Sequence, residues 1–188
     1  MRKSSLINKS IAASLMIGIG DFILLKMGNP LGPFLFALGL LAVCYMGLNL
    51  FTGKCGFLFS DKIKPLDLLI ILIVNLISGY LFGLAFGYAD SSLIEVAAAK
   101  VNTWTFDIPF FIKSLMCGAI MYIAVYMYRK GTPLGIIFGI PIFIFCGFQH
   151  CIANIITLGV ARAFDWSIII CILGNFLGSL FVYSLSKE

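Results

Sequence analysis

The chain has 188 residues, of which 61% are hydrophobic and 11% are charged, and its formal net charge is +5. A soluble domain is usually about half apolar and about a quarter charged, so too few polar side chains are present to cover a surface in water. The composition therefore excludes an ordinary soluble domain and predicts an all-α integral membrane protein. The basic residues lie mainly at the ends of apolar segments, which is typical of membrane topology, so we expect no nucleic-acid partner.

Six apolar segments are long enough to cross a bilayer, for which about 20 residues are needed. The loops between them are short, which predicts a single transmembrane domain over residues 1–188. The segments are Ile11–Met27, Pro33–Ser60, Pro65–Tyr88, Ile108–Tyr128, Pro133–Val160 and Trp166–Leu185. The second and fifth are too long and too polar in the middle for plain spans. Each is therefore predicted to contain a helix, a break and a second short helix.

The basic residues at the segment ends predict a multi-pass protein of the cell inner (cytoplasmic) membrane with both termini in the cytoplasm, since cytoplasmic loops are rich in Lys and Arg. No small-residue cleavage site follows the basic N-terminus before Asp21, so we expect this end to be retained. The ends assigned to the cytoplasm carry Arg2, Lys3, Lys9, Lys62, Lys64, Arg129, Lys130 and Lys187. The opposite ends carry Lys26, Lys100, Lys113 and Arg162, mixed with acidic residues.

The six cysteines predict helix packing rather than chemistry. None belongs to a CxxC pair and all lie in apolar surroundings, so we expect no disulfide, no metal site and no cofactor. A membrane-embedded enzyme is not expected either. The chain has one histidine, no acidic cluster and no motif such as HExxH, and therefore offers no set of catalytic residues.

The two halves of the chain, about 8–90 and 106–188, repeat one another at an offset of 100 residues without a gap. The matches include Pro33, Gly39, Gly47 and Asn75 with Pro133, Gly139, Gly147 and Asn175, and Ser14, Leu15, Met16 and Gly18 with Ser114, Leu115, Met116 and Gly118. Each half holds three segments, so the second half enters the membrane from the opposite side. The pattern predicts an inverted 3+3 repeat, in which the transport path runs between the halves near the midplane.

The breaks in the second and fifth segments, Gly47–Gly56 and Gly147–Asn154, are where we expect the substrate path. Each break has a glycine followed by an amide, Asn49 or Gln149, and then further hydrogen-bonding groups. Unwound backbone inside a bilayer is tolerated only where it is buried in protein or lines a wet cavity. Polar residues at this depth are therefore candidates for a functional site.

His150 is the one histidine of the chain and lies in the second break. Its imidazole can take up or release a proton near neutral pH. Asn154 follows one helical turn later, so it is predicted to share a face with His150 and to orient the ring by a hydrogen bond. Phe51 and Phe143 come from the two broken segments and are candidates for hydrophobic constrictions above and below His150. Plain core packing is the alternative for both phenylalanines.

The two breaks resemble those of the formate/nitrite transporter family. That family has a GxxLFT-type segment in its second helix, matched by Gly47–Thr52. Its fifth helix has a GFEHxxAN segment, and its third and sixth helices have patterns near GNxxG. These are matched by Gly147, Phe148, His150, Ala153 and Asn154, by Asn75 with Gly79, and by Gly174, Asn175 and Gly178. The resemblance covers most of the chain and agrees with the internal repeat.

The resemblance implies an aquaporin-like protomer with its own pore, and a homopentamer of such protomers embedded in membrane lipid. It implies that His150 is the central histidine with Asn154 as its partner, and that Phe51 and Phe143 are the pore aromatics. It further implies that Thr52 is the threonine of a flexible loop. The vestibule lysine that the family carries before its fourth span corresponds to Lys100.

The sequence departs from the family pattern at two positions of the breaks. Gln149 stands where the family usually has Glu, which removes a carboxylate. Lys54 stands where a small polar residue is usual, and in the repeat it is the counterpart of Asn154. An ammonium group within a membrane is costly unless it is paired or hydrated. Lys54 is therefore expected to attract anions, to reach the cytoplasmic side, or to pair with an acid, for which Asp21 is one candidate.

These residues predict a passive channel or proton-coupled transporter for small monovalent weak-acid anions of the formate, nitrite or hydrosulfide class. Lys100 or Lys54 would concentrate the anion at a vestibule. Loss of hydration favours protonation of the substrate, and His150 would donate that proton or a hydrogen bond. The alternative is a channel for a small neutral solute such as water or ammonia. The chain lacks the paired Asn-Pro-Ala motifs of aquaporins, and Lys54 favours anions.

Overall fold

The computed structural model describes residues 3–186, and within that range it contains nine α-helices joined by short connections. They are α1 (Lys3–Met27), α2 (Leu31–Tyr45), α3 (Phe51–Lys54, continued by a 3₁₀ turn at Cys55–Phe57), α4 (Pro65–Ala89), α5 (Ser92–Val101), α6 (Ile108–Arg129), α7 (Leu134–Phe145), α8 (Cys151–Ala161) and α9 (Ser167–Leu185). Arg2 and Lys187, which the topology prediction uses, lie outside the described residues.

Four of these helices, α1, α4, α6 and α9, are long and apolar enough to cross a membrane by their length and composition. The helices α2, α7 and α8 are apolar but shorter. Much of the outer surface is apolar, as along α4, where Leu69, Ile73 and Ile77 follow one another at helical spacing and are exposed. Such a face is compatible with lipid or with a neighbouring subunit, but not with water over a large area.

The segments around the two breaks end their first helix in the same way. Gly47 and Gly147 both adopt a left-handed conformation, with φ of +61° and +67°. After each glycine, the next N–H turns back onto the helix: Leu48 N donates to Val43 O and Phe148 N to Phe143 O, each at 2.9 Å. This hydrogen bond and the left-handed glycine form a C-cap that ends α2 and α7. The chain then continues in the extended stretch that precedes α3 and α8.

Glycines also allow the helices that carry the site to approach one another closely. Gly83 of α4 and Gly159 of α8 face each other, and a Cβ on either would meet backbone atoms of the opposite helix. Gly178 of α9 stands in the same way against the Leu115 carbonyl of α6. Small residues at such contacts are how membrane helices pack without large side chains between them. The two contacts hold α8 and α9 against the rest of the bundle.

The hydrogen bonds made by α1 and α6 show that these two helices do not correspond at an offset of 100 residues. Asn75 Nδ2 donates to Ser10 O, and Asn175 Nδ2 donates to Ser114 O. The counterpart of Ser114 is therefore Ser10, 104 positions earlier, and not Ser14. Four residues make about one helical turn, so shifting the alignment of α1 by four residues keeps nearly the same residues on the same helix face. The alignment at an offset of 100 therefore still pairs similar residues. The offset of 100 does hold for the asparagines themselves and for the breaks.

The helix α5 lies where the sequence analysis placed only a loop. Its buried residues Leu93, Ala97 and Val101 recur every four positions and pack toward α8. This spacing is a signal for an amphipathic helix that a hydropathy reading for spans overlooks. The helix matters for the site because its last turn carries Lys100.

Candidate functional site

The two breaks meet at a hydrogen bond between Thr52 and His150. Thr52 Oγ1 lies 2.8 Å from His150 Nε2, and both residues are almost completely buried. His150 also caps α8, since its Nδ1 accepts the Ala153 N–H at 3.1 Å. A backbone N–H can only donate, so Nδ1 is the acceptor nitrogen and the neutral ring carries its proton on Nε2. His150 therefore donates to Thr52 Oγ1, and the Thr52 hydroxyl proton remains able to donate elsewhere.

Two asparagines hold the unwound backbone of the breaks. Asn75 Oδ1 accepts the Phe51 N–H and Asn175 Oδ1 accepts the Cys151 N–H, each at 2.8 Å. Their Nδ2 groups donate to carbonyls of the breaks, Asn75 to Asn49 O and Asn175 to Gln149 O. A buried backbone group without a hydrogen-bond partner is costly inside a membrane, so these two amides stabilise the non-helical backbone of the breaks.

Asn154 does not orient the His150 ring, contrary to the sequence prediction. Its Nδ2 donates to Gln149 Oε1 at 2.9 Å, while Gln149 Nε2 donates to Gly147 O. Both ring nitrogens of His150 already have partners in Ala153 and Thr52, so no ring atom remains for an amide. Asn154 and Gln149 instead brace one another beside the histidine.

One cavity, which we name the His150 cavity, has a volume of about 80 Å³. It brings together five of the residues predicted for the substrate path: His150, Asn154, Gln149, Phe143 and Lys100. Apolar walls accompany them, since the rings of Phe143 and His150 lie 6.0 Å apart and Phe36 packs edge-on against Phe143 at 6.1 Å. Lys100 thus reaches the histidine end of the path from α5.

A second cavity, which we name the Lys54 cavity, has a volume of about 190 Å³. Lys54 and Arg129 supply its cationic groups, and Tyr128 and Leu50 are among its other walls. No ion pair joins Lys54 to an acid among the residues the structure describes. The candidate partner Asp21 is ruled out, because Asp21 lies in the wall of the other cavity, 3.7 Å from Lys100 Nζ.

Phe51 lines neither of these two cavities. Its side chain is buried and stacks on the ring of Phe176 in α9, with centroids 6.4 Å apart. The two phenylalanines from the broken segments therefore differ: Phe143 borders the His150 cavity, and Phe51 anchors the start of α3. Leu50, the residue just before Phe51, does line the Lys54 cavity.

The two cavities are built from equivalent parts of the two halves. Seven pairs of lining residues are related by 100 positions: Val43 and Phe143, Cys44 and Ile144, Gly47 and Gly147, Leu48 and Phe148, Leu50 and His150, Gly53 and Ala153, and Lys54 and Asn154. His150 thus occupies the position that an apolar leucine fills in the first half. The two cavities therefore use corresponding chain positions, but the side chains at those positions differ in polarity and charge.

Arg129 is a site residue that the sequence analysis counted only toward topology. Its guanidinium makes two hydrogen bonds to the carboxylate of Asp61, at 2.9 and 2.8 Å, and lies over the ring of Phe57. The paired guanidinium holds the pKa of the Asp61 carboxyl below its usual range. Asp61 and Phe57 thereby fix Arg129 at the wall of the Lys54 cavity, and Lys54 is left as the unpaired cation there.

An apolar helix bundle with two cation-lined cavities, one of them lined by the histidine of a buried polar pair, is typical of a membrane transport protein. The chain belongs to the formate/nitrite transporter family, whose sequence profile, described as "Formate/nitrite transporter", matches residues 1–185. This confirms the resemblance found in the breaks. The family is one of transporters and channels rather than enzymes, and membership assigns this multi-pass membrane protein to anion transport.

Individual relatives agree with this assignment. The chain is 30% identical over 181 residues to the uncharacterized transporter YrhG of Bacillus subtilis (strain 168), covering 81% of this chain and 68% of that protein. It is 22% identical over 234 residues to the formate-nitrite transporter of Plasmodium falciparum (isolate 3D7), covering 96% and 76%.

Two solved structures share the fold. A structure described as an FNT family ion channel has a TM-score of 0.71 and 21% identity, covering 96% of this chain and 85% of that one. A structure described as a pentameric formate channel with formate bound has a TM-score of 0.76 and 19% identity, covering 98% and 95%.

Proposed function

We propose that this protein is a passive channel or proton-coupled transporter for small monovalent weak-acid anions, of the formate, nitrite or hydrosulfide class, across the cytoplasmic membrane. The observation that carries this proposal is the presence of cationic residues in both cavities. Lys100 stands in the His150 cavity, and Lys54 and Arg129 stand in the Lys54 cavity. Cationic groups in both cavities suit an anion, which they concentrate from water at either end.

The buried Thr52–His150 pair, whose histidine lines the His150 cavity, sets the chemistry of passage. A bare anion loses a large hydration free energy between apolar walls such as Phe143 and Leu48, whereas a neutral acid loses much less. Desolvation therefore favours the protonated substrate at this point. His150 fixes the Thr52 hydroxyl, whose own proton is free to donate to a substrate oxygen. In this arrangement His150 acts as a neutral hydrogen-bond donor, since a second ring proton on Nδ1 would oppose the Ala153 N–H.

The architecture we propose is one transmembrane domain of six spans in an inverted 3+3 repeat, in an aquaporin-like protomer with broken second and fifth helices. Repeat boundaries near 8–90 and 106–188 are supported by the equivalent hydrogen bonds of Asn75 and Asn175. Both termini are placed in the cytoplasm on the strength of the basic residues at the segment ends.

The oligomer we propose is a homopentamer in membrane lipid. It is supported by the likeness to the solved pentameric formate channel over nearly the whole chain. Exposed apolar residues on α9, such as Leu173, Leu177 and Phe181, give a face that either a neighbouring protomer or lipid would cover. Each protomer contains both cavities, so each has its own path.

Anion uptake into proteoliposomes tests the proposal. Formate, nitrite, hydrosulfide and chloride are compared from about pH 5 to about pH 8, the range in which histidine and several weak acids change protonation. We expect uptake of the weak acids to rise as the pH falls, with chloride excluded. Fast swelling in a neutral solute without uptake of any anion would favour the neutral-solute channel instead.

A further inference from the structure

Asp21 is a buried acid with one oxygen that has no hydrogen-bond donor. Asp21 belongs to α1, and its side chain is completely buried. Oδ2 accepts the Thr157 hydroxyl at 2.8 Å, while Oδ1 has no hydrogen-bond partner. Lys100 Nζ lies 3.7 Å from Oδ1, close enough for an ion pair but too far for a hydrogen bond. A buried carboxylate oxygen without a donor is costly, so this position calls for a donor that is not part of the chain.

The unpartnered oxygen belongs to a built site rather than to a packed core. Asp21 and Lys100 both line the His150 cavity, whose volume of about 80 Å³ suits one very small molecule. His150 and Asn154 line the same cavity. A molecule in this cavity can therefore meet the Lys100 ammonium and the Asp21 carboxylate together.

Few other charges act at this point. Among the described residues, Lys100 is the one that forms an ion pair with Asp21, and His150 is the other titratable residue that lines the cavity. From α2 and α4, the apolar rings of Phe36 and Phe86 face α1. The remaining charged residues of the elements around α1 are Asp67 in the first turn of α4, Asp90 paired with Lys26, the exposed Glu95 of α5 and the exposed Arg162 after α8.

We infer that Asp21 and Lys100 form a two-point site for the protonated form of a small weak acid. The O–H of the acid donates to Asp21 Oδ1, and its second oxygen accepts from Lys100 Nζ. The proton is shared in one O–H···O bond and leaves with the substrate as a neutral acid, so Asp21 ends as the carboxylate it was at the start. This inference rests on the proposed function and names the protonation state that the His150 cavity selects.

The two-point site also explains how such a path would discriminate among anions. Chloride and nitrate remain unprotonated near neutral pH and offer only acceptors, so the Asp21 carboxylate repels them while Lys100 attracts them. Formate with its proton satisfies both groups at once. A lysine alone would bind all of these anions, and Asp21 is therefore the specificity-determining member of the pair.

The variant Asp21→Asn tests the site, with Asp90→Asn as a matched control. Asn keeps the size and can still accept from Thr157, but it turns an amide donor toward the substrate. We expect formate uptake at about pH 5 to fall about tenfold, as for the loss of a hydrogen bond to a charged group, and uptake of nitrate and chloride to rise. Asp90→Asn removes a half-buried carboxylate that pairs with Lys26 at the end of α1, outside the His150 cavity, and should transport formate like the unmodified protein.

A measurement on the unmodified protein covers the case in which Asp21→Asn fails to fold. Formamide carries an N–H donor beside a carbonyl acceptor, so it should slow formate uptake more strongly than an equal concentration of nitrate does. The inference is overturned if formamide does not compete, or if Asp21→Asn keeps the formate uptake, pH profile and chloride exclusion of the unmodified protein. Formate uptake by the unmodified protein then still stands as evidence for the proposed function, whose own failure would be the loss of that uptake.

Discussion

Thr52 Oγ1 and His150 Nε2 are joined by a hydrogen bond of 2.8 Å, although 98 positions separate the two residues in the chain. Each residue lies at the start of the helix that follows a break, and the N–H of a residue next to it, Phe51 or Cys151, is accepted by an asparagine of α4 or α9. The bond therefore links the two halves of the protein at their most polar point. Because His150 also lines the His150 cavity, this bond is the first target for mutation.

Replacing Thr52 by Val should lower weak-acid uptake by about tenfold or more, because the buried Nε2–H of His150 loses its acceptor, at a cost of about 1–3 kcal/mol. Thr52→Ser keeps the hydroxyl and should retain most of the uptake. The measurement is the initial rate of formate uptake into proteoliposomes, normalised to folded protein. Equal rates in Thr52→Val and Thr52→Ser would show that the hydroxyl has no part in transport.

Replacing His150 by Ala should abolish pH-dependent uptake of weak-acid anions, since the donor to Thr52 and the cap of α8 are both lost. His150→Asn retains a small polar side chain and serves as the comparison for the stability of α8. Uptake rates across the pH range and the thermal unfolding midpoint are measured on the same samples. Unaltered uptake by His150→Ala at every pH would contradict a role for this hydrogen-bond donor in transport.

Replacing Lys54 by Gln should lower anion uptake and weaken its dependence on ionic strength, because an unpaired cation is removed from the Lys54 cavity. Lys62→Gln is the control, since this lysine is exposed in the loop before α4. Uptake is measured at low and high concentrations of an impermeant salt. A Lys54→Gln protein with the salt dependence of the unmodified protein would make Lys54 a structural residue.

Replacing Asn75 or Asn175 by Ala should destabilise the protein by about 3 kcal/mol or more, because each amide serves several otherwise unsatisfied backbone groups of a break. Asn29→Ala is the control: its side chain bonds only one exposed N–H, at the start of α2. Thermal unfolding in detergent measures the difference. An unfolding midpoint for Asn175→Ala equal to that of Asn29→Ala would show that Asn175 does not stabilise the break.

The Asp61–Arg129 pair should contribute stability that is lost in acid. The pKa of Asp61 is lower in the folded protein than in the unfolded chain, because Arg129 binds the carboxylate. The contribution is therefore present above the ordinary aspartate pKa of about 3.9 and disappears as the pH falls through the lower folded pKa. Arg129→Gln should lower the unfolding midpoint near neutral pH and flatten its decline between about pH 5 and about pH 3. A parallel decline in both proteins would mean that the pair adds no stability.

Sequence reasoning located the breaks well and their internal contacts poorly. Gly47 and Gly147 mark the ends of α2 and α7 because only glycine adopts their left-handed backbone at little cost. The hydrogen-bond partners of His150 were predicted wrongly. Asn154 is close in sequence and one helical turn away, but the ring bonds to Thr52 and Ala153, and the contact with Thr52 depends on how the two breaks meet. The register of the first helix was misplaced by one turn because a four-residue shift barely changes a helical face.

From the amino-acid sequence alone one can derive a helical membrane protein with two polar interruptions and one histidine at the second of them. Composition and local backbone preferences decide such features, and both are readable along the chain. Three contacts follow only from the fold: Asp21 lies beside Lys100 and not Lys54, Asp61 binds Arg129, and Phe51 stacks on Phe176. These pairings join residues far apart in the chain, and the packing angle of whole helices sets which long side chains meet.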